Sequence, residues 1–206
     1  MEEKFTIILE KAVTIFHTYG IRGVSMDDVC RELSISKKTL YQFVANKEEL
    51  ISRIVEMEIK RHIDHVKEFS KQNLNSIDAL FEISKIISIN IRKINPSFNY
   101  DLNKYYPEIF KMQLDHKREM IFKTLKGNII QGIKDGFYRE DLDIDLIVKL
   151  YIQKLELIRD PDNWTNDKDS CSRIFKVMFE NHIRGISNKK GIKYLEQKMK
   201  SLNFKI

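Results

Sequence analysis

Glycine and proline are scarce, seven and three in 206 residues. A chain so poor in turn formers does not read as a loop-rich β-sandwich, and it carries no glycine-rich loop of the kind that cradles nucleotide phosphates. Cysteine is almost absent. Cys30 and Cys171 stand far apart without metal-ligand spacing, so neither a disulfide framework nor a metal site is expected, and the chain reads as a reduced, cytoplasmic protein. No apolar run reaches the length of a membrane span, and Met1-Glu2-Glu3-Lys4 lacks the order of a signal peptide. A paired His-x-x-x-His and a Ser- or Cys-based nucleophile with its His and Asp are also missing. No catalytic residue and no cofactor is therefore expected, and the chain is not read as an enzyme.

The formal charge of +6 resembles a nucleic-acid signature until it is located. Residues 184–206 hold seven basic side chains against the single acid Glu196, which leaves residues 1–183 balanced at 29 of each sign. The excess belongs to the tail, so DNA binding has to be argued from local geometry.

Helical periodicity runs through nearly the whole chain. Phe5, Ile8, Leu9, Ala12, Ile15, Phe16 and Tyr19 form one stripe, which Gly20 ends as a C-terminal cap. Ser25 with Asp28 opens a short helix burying Met26, Val29, Cys30 and Leu33. Ser36 caps a second that turns Leu40 and Phe43 or Val44 inward, and Asn46 caps a longer helix from Lys47 towards Phe69. Further helices are predicted over 76–94, 107–135, from Asp143 or Asp145 to Ile158, and over 167–185, followed by a short basic amphipathic segment over 192–202, with a ragged aromatic stretch from Phe98 to Tyr106. The expectation is an all-α chain: a three-helix N-terminal domain over 1–48 with its motif at about 25–44, a linking helix over 49–70, and a regulatory and dimerisation domain of about six helices over 71–206.

Two short helices joined by a tight turn and preceded by a packing helix make a helix-turn-helix, whose second helix presents its N-terminal residues to base edges in the major groove. Here that helix begins Ser36-Lys37-Lys38-Thr39. Leu40 must point into the core, so Lys37, Lys38, Thr39, Tyr41 and Gln42 cover the outward arc. Lysines suit phosphates or guanine edges, glutamine suits adenine, and threonine a hydroxyl bond or a thymine methyl.

The segment from Ile8 to Leu50 resembles the TetR/AcrR family of bacterial transcriptional regulators. The resemblance is carried by Ala12, Phe16, Gly20, Ser25, the run Ile35-Ser36-Lys37-Lys38-Thr39-Leu40-Tyr41, and Asn46-Lys47-Glu48-Glu49-Leu50. Gly132-Ile133-x-x-Gly136-Phe137 and Gly185-Ile186 are similar to the family's regulatory half. The resemblance implies that Ser25 caps its helix against a phosphate, that Thr39 and Tyr41 face DNA, and that Lys47 binds backbone phosphate. It also implies a repressor released from a palindromic operator by a small molecule. Two departures stand out. Ser34 occupies the turn where the family has Gly, so a left-handed conformation there would be strained. Phe43-Val44 follow Gln42 where the family often has His or Tyr and then Phe.

Two regions outside the motif carry candidate sites. Tyr105, Tyr106, Phe110, His116, Met120, Tyr151 and Trp164 are more often core than pocket, but the family's effector cavity lies among its middle helices, so they are the candidates for lining it. Leu146, Ile147, Leu150, Tyr151, Leu155 and Ile158 make a surface too broad for one internal face. With Ile174, Phe175, Met178, Phe179 and His182 on the next helix, it is expected to form a homodimer interface. His62 and His65 share a helix face, yet no third ligand is apparent. The alternative function is a membrane-surface or protein-interaction adaptor using the basic tail 189–206, whose default reading is a solvated helix.

Overall fold

Ten helices occupy the residues that the computed structural model describes, 2–70, 72–93, 96–159 and 168–201. They are α1 Glu2–Tyr19, α2 Met26–Leu33, α3 Lys37–Leu40, α4 Lys47–Ser70, α5 Ser76–Lys93, α6 Pro96–Tyr105, α7 Pro107–Lys134, α8 Ile144–Arg159, α9 Lys168–Ile186 and α10 Lys189–Ser201. The chain divides into two compact units. Met1–Lys71 and Asn95–Lys117 form the first, Gln72–Ile94 and Arg118–Ile206 the second. The packing boundary thus differs from the expected one at residue 71, because α6 and the start of α7 belong with the N-terminal helices.

In the first unit α1 buries Ile8, Leu9, Ala12, Ile15 and Phe16 against Leu50, Ile51, Ile54 and Val55 of α4 and Val29, Cys30 and Leu33 of α2. Tyr19 leaves the expected stripe and is 67% exposed. It sits at the last position of α1, where Gly20 at φ +78° donates its N–H to the Phe16 carbonyl at 3.0 Å and turns the chain away. The aromatic stretch expected to be ragged is helix α6. Proline at its first position is compatible with a helix start, and Phe98 and Leu102 are buried in the same core. Asp101 of α6, itself buried, accepts the Arg22 N–H at 2.8 Å and so fastens the turn between α1 and α2.

In the second unit α9 packs against both α5 and α8. Phe81 and Phe179 meet edge to face with centroids 5.3 Å apart, among Ile77, Ile129, Val148, Leu155, Phe175 and Ile183. This corrects the interface expected on α9. Phe175, Met178 and Phe179 fill the unit's own core, Ile174 packs against it half-buried, and His182 is half-buried with its ring 4.3 Å from that of Tyr151. A stripe flanked by two helices is used internally, so the apolar side chains left outside are Leu146, Leu150 and Leu157 on α8 and Val177 on α9. Ile147 is half-buried, Tyr151 and Leu155 are buried, and the side chain of Ile158 lies outside the described residues.

The basic tail is not a free segment either. Helix α10 inserts Leu195 into the second core, Lys198 Nζ pairs with Asp78 Oδ1 at 2.8 Å, and Tyr194 donates to Asp78 Oδ2 at 2.8 Å. Lys190 donates to the Asp135 carbonyl at 3.2 Å and lies over the Phe137 ring. Gly191 lets the helix approach so closely that a Cβ there would stand 2.2 Å from the Phe137 carbonyl oxygen. Five of the tail's residues, Lys190, Gly191, Tyr194, Leu195 and Lys198, are thereby engaged within the fold.

Candidate nucleic-acid interface

Helices α2 and α3 are each started by a serine. Ser25 Oγ accepts the Asp28 N–H at 3.1 Å while the Asp28 carboxylate accepts the Ser25 N–H at 2.9 Å, a complete capping box. The Ser25 hydroxyl also donates to Asp28 at 2.6 Å. These bonds from Ser25, together with Arg31, hold the Asp28 carboxyl below its ordinary range. Ser36 Oγ accepts the Thr39 N–H at 3.0 Å and lies 2.8 Å from the Thr39 hydroxyl. Between the two helices Ser34 adopts φ 53°, ψ 42°, the one positive φ at a non-glycine among the described residues. Its N–H and that of Ile35 close the end of α2 on the Arg31 and Cys30 carbonyls. A left-handed L-residue costs about 1–2 kcal/mol, so the turn is held at a price that glycine would avoid.

Leu40 and Val44 are buried, and Phe43 stacks half-buried on Phe5 at 5.0 Å, so both inward candidates are used. The opposite arc is open. Lys37, Lys38, Tyr41 and Gln42 are exposed, Tyr41 by 47%, and Thr39 is half-buried beside Ser36. The arc carries donors, an amide and one phenol on a rigid turn, which is the set that base edges and phosphates accept. Cys30 faces the core and burial raises its thiol, as for an inert packing residue.

Lys47 departs from expectation. Its ammonium donates to the Ile21 carbonyl at 2.6 Å, half-buried and 5.9 Å from the centre of the Phe16 ring, and burial lowers its ordinary value. It ties the start of α4 to the turn before α2 instead of standing free at the surface. That bond spans 26 residues, and no local pattern announces it. Asp27 is a second residue that sequence reasoning missed. Placed in the first turn of α2, it reads as a partner of the helix dipole, yet its Oδ1 lies 2.7 Å from Lys37 Nζ.

Residues 8–54 match the family described as "Bacterial regulatory proteins, tetR family". The chain is 28% identical over 156 residues to the "Uncharacterized HTH-type transcriptional regulator YhgD" of Bacillus subtilis (strain 168), covering 71% of this chain and 79% of that one. It is 29% identical over 126 residues to the "Biofilm operon icaADBC HTH-type negative transcriptional regulator IcaR" of Staphylococcus epidermidis, covering 60% of this chain and 66% of that one. Residues 8–54 thus carry the TetR-family DNA-binding segment. The fold agrees: a TetR transcription regulator from Haloarcula marismortui superposes with a TM-score of 0.75 at 13% identity, over 91% of this chain and 100% of that one. A transcriptional regulator from Cytophaga hutchinsonii superposes with a TM-score of 0.71 at 15% identity, over 90% and 99%.

The match over residues 8–54 and the likeness to these two regulators support a DNA-binding transcriptional regulator. Its candidate effector residues are spread over both units. In the first, Tyr105 is exposed beneath the Arg22 guanidinium, Tyr106 and Phe110 pack half-buried on the core, and the His116 Nε2 is buried without a hydrogen-bond partner among the described residues. In the second, Met120 is half-buried and Tyr151 is buried, which pushes its phenol well up. Trp164 lies outside the described residues. A cleft of about 240 Å³ between α8 and α9 is lined by Leu150, Tyr151, Lys154, Asn181 and His182, so Tyr151 is the one candidate on its wall. Burial, with Lys154 nearby, draws the His182 imidazole down to about 4. Among the described residues no helix is long and apolar enough to cross a membrane.

Proposed function

We propose that the chain is a TetR-family regulator, a homodimeric repressor that reads a near-palindromic operator and leaves it when a small apolar or amphipathic molecule binds. The observation that carries the reading is the outward arc of α3, where Lys37, Lys38, Thr39, Tyr41 and Gln42 stand beside the self-capped Ser25 and Ser36. Repression is supported by the likeness to IcaR, which is named a negative regulator. The dimer face is assigned to the outer side of α8 and α9, where Leu146, Leu150 and Val177 expose apolar side chains among the described residues. Such a repressor works where the chromosome is, in the cytoplasm.

Two recognition helices in successive major grooves are about 34–36 Å apart, so selection from a random duplex library should return inverted repeats with that centre-to-centre spacing. Recovery of single, unrepeated half-sites would overturn the dimeric reading. On the selected duplex, Thr39→Ala and Gln42→Ala should each relax preference at particular base pairs, costing about 1–3 kcal/mol there. Lys38→Ala should instead weaken all duplexes alike and flatten the salt dependence by about one unit of slope. Uniform losses from all three would dissolve the division into base and phosphate contacts.

Effector release is expected to be worth about 1–3 kcal/mol of coupling, or some five- to 150-fold in operator affinity. Linkage makes the effect mutual. Calorimetric titration of a candidate effector should show its affinity lowered by the same factor when operator DNA is present, and an effector whose affinity is indifferent to operator does not act by this route.

A further inference from the structure

The recognition helix opens with two adjacent lysines, and the structure treats them differently. Lys37 Nζ is 2.7 Å from Asp27 Oδ1, on the first turn of α2. Lys38 has no ion pair among the described residues. The other cations of the motif are committed elsewhere: Arg31 to Asp28, Lys47 to the Ile21 carbonyl. Of the four cations between residues 25 and 47, Lys38 alone is unengaged among the described residues.

Stability does not explain the Lys37–Asp27 pair. Both side chains are 60% exposed or more, and ion pairs so open to water add almost nothing to folding. Nor does capping: α2 is already capped by Ser25 with Asp28, the next residue along. What the carboxylate does is engage the Lys37 ammonium, the group that would otherwise meet a phosphate oxygen. A lysine holding a carboxylate must give it up before it can neutralise DNA, and the freed carboxylate then repels the same phosphates.

We propose that Asp27 is a specificity-setting positioning residue, which holds Lys37 back from backbone phosphates so that indiscriminate duplexes gain little from it. The inference rests on the DNA-binding reading above and adds a division of labour within the motif. On a non-cognate duplex the protein is free to shift until every available cation meets a phosphate, so an unengaged Lys37 would add a full contact. On the operator, base contacts by Thr39, Tyr41 and Gln42 fix the register, and Lys37 stays where Asp27 holds it. Asp27 therefore lowers affinity for wrong sequences more than for the right one, and no base contact of its own is required.

The test uses the full chain and its Asp27→Asn, Asp27→Glu, Lys37→Ala and Asp27→Asn/Lys37→Ala variants. Binding is measured by fluorescence anisotropy to the selected duplex and to a scrambled duplex of equal length, between about 50 and 200 mM salt. Asp27→Asn is expected to tighten scrambled-duplex binding about fivefold at 0.15 M salt and to steepen its log–log salt slope by about 0.9, the increment of one phosphate contact. Operator affinity should change by about twofold or less, so discrimination falls. Asp27→Glu should restore both the slope and the discrimination, and Asp27→Asn should have no effect once Lys37 is alanine. Equal tightening on both duplexes, an unchanged salt slope, or an effect undiminished in the Lys37→Ala background would each overturn the proposal. A wild-type chain that binds neither duplex at any salt would overturn the DNA-binding reading, and this inference with it, before any variant is compared.

Discussion

Phe179→Ala will lower the free energy of unfolding by about 3–5 kcal/mol, the usual cost of deleting a buried phenyl ring and leaving its cavity. Phe179 is 3% exposed, and its ring meets the edge of Phe81 and lies near Phe175. Val177, two positions earlier, is 40% exposed on the other side of α9. Val177→Asp should therefore leave each subunit's packing intact and act on association, converting a dimer to a monomer at low micromolar concentration. Denaturant titration combined with sedimentation separates the two. The Phe179→Ala loss should persist on dilution, whereas any Val177→Asp loss should appear only in the concentration-dependent part of stability. A dimeric Val177→Asp chain would move the interface off this face, and a Phe179→Ala chain of unchanged stability would contradict its place in the core.

Gly132→Ala is expected to be comparably severe, although it adds one methyl group. A Cβ at Gly132 would stand 2.0 Å from Tyr138 Cδ2 and 2.2 Å from Cε2. The ring has nowhere to go. Tyr138 is 1% exposed, its N–H is donated to the Gly132 carbonyl at 3.1 Å, and its hydroxyl donates to Asn128 at 3.2 Å. The next residue, Arg139, donates its N–H to the Ile186 carbonyl, so the backbone cannot slide out either. Expelling the ring should cost about 3 kcal/mol or more, the range for losing a large buried aromatic. Thermal melting followed by circular dichroism measures it. Gly132→Ala/Tyr138→Leu should recover part of the loss, because a smaller side chain leaves room for the methyl, and the two changes should be far from additive. If Gly132→Ala costs less than about 1 kcal/mol, the close approach of α7 to Tyr138 does not govern this turn.

The parts of the fold written in local signals were legible in the chain. Gly20, Ser25, Ser36 and Asn46 each announce a helix end within four residues, and each is found doing so. Ser34 was legible as a strained turn, because a left-handed residue is needed between α2 and α3 whatever side chain stands there. Helix α6 was hidden by the Asn95-Pro96 pair and by asparagines of low helix propensity, and what stabilises it is burial of Phe98 and Leu102 against helices far away in sequence. The stripe at Ile174, Phe175, Met178 and Phe179 shows how far periodicity goes. It says which face of α9 is apolar, but whether the cover comes from α5 and α8 or from a second copy depends on packing that no single helix encodes. The exposed arc of α3 was legible by elimination around Leu40. The inward turn of Lys47 was not, since its acceptor is a backbone carbonyl 26 residues away.

Those long-range bonds give α4 a mechanical character. Twenty-four helical residues span about 36 Å at 1.5 Å per residue, and Leu50, Ile51, Ile54 and Val55 seat one end of that rod in the core around α1. At the same end Lys47 grips the carbonyl of Ile21, and the adjoining Arg22 N–H is held by Asp101. The turn that leads into α2 is therefore clamped from two helices, with little slack between α4 and the reading head. Tilting such a rod by about 5° displaces one end relative to the other by about 3 Å, as long as a hydrogen bond itself. Base-edge contacts tolerate only a few tenths of an ångström, so if Thr39 and Gln42 read bases as proposed, a rotation too small to disturb packing would put them out of register.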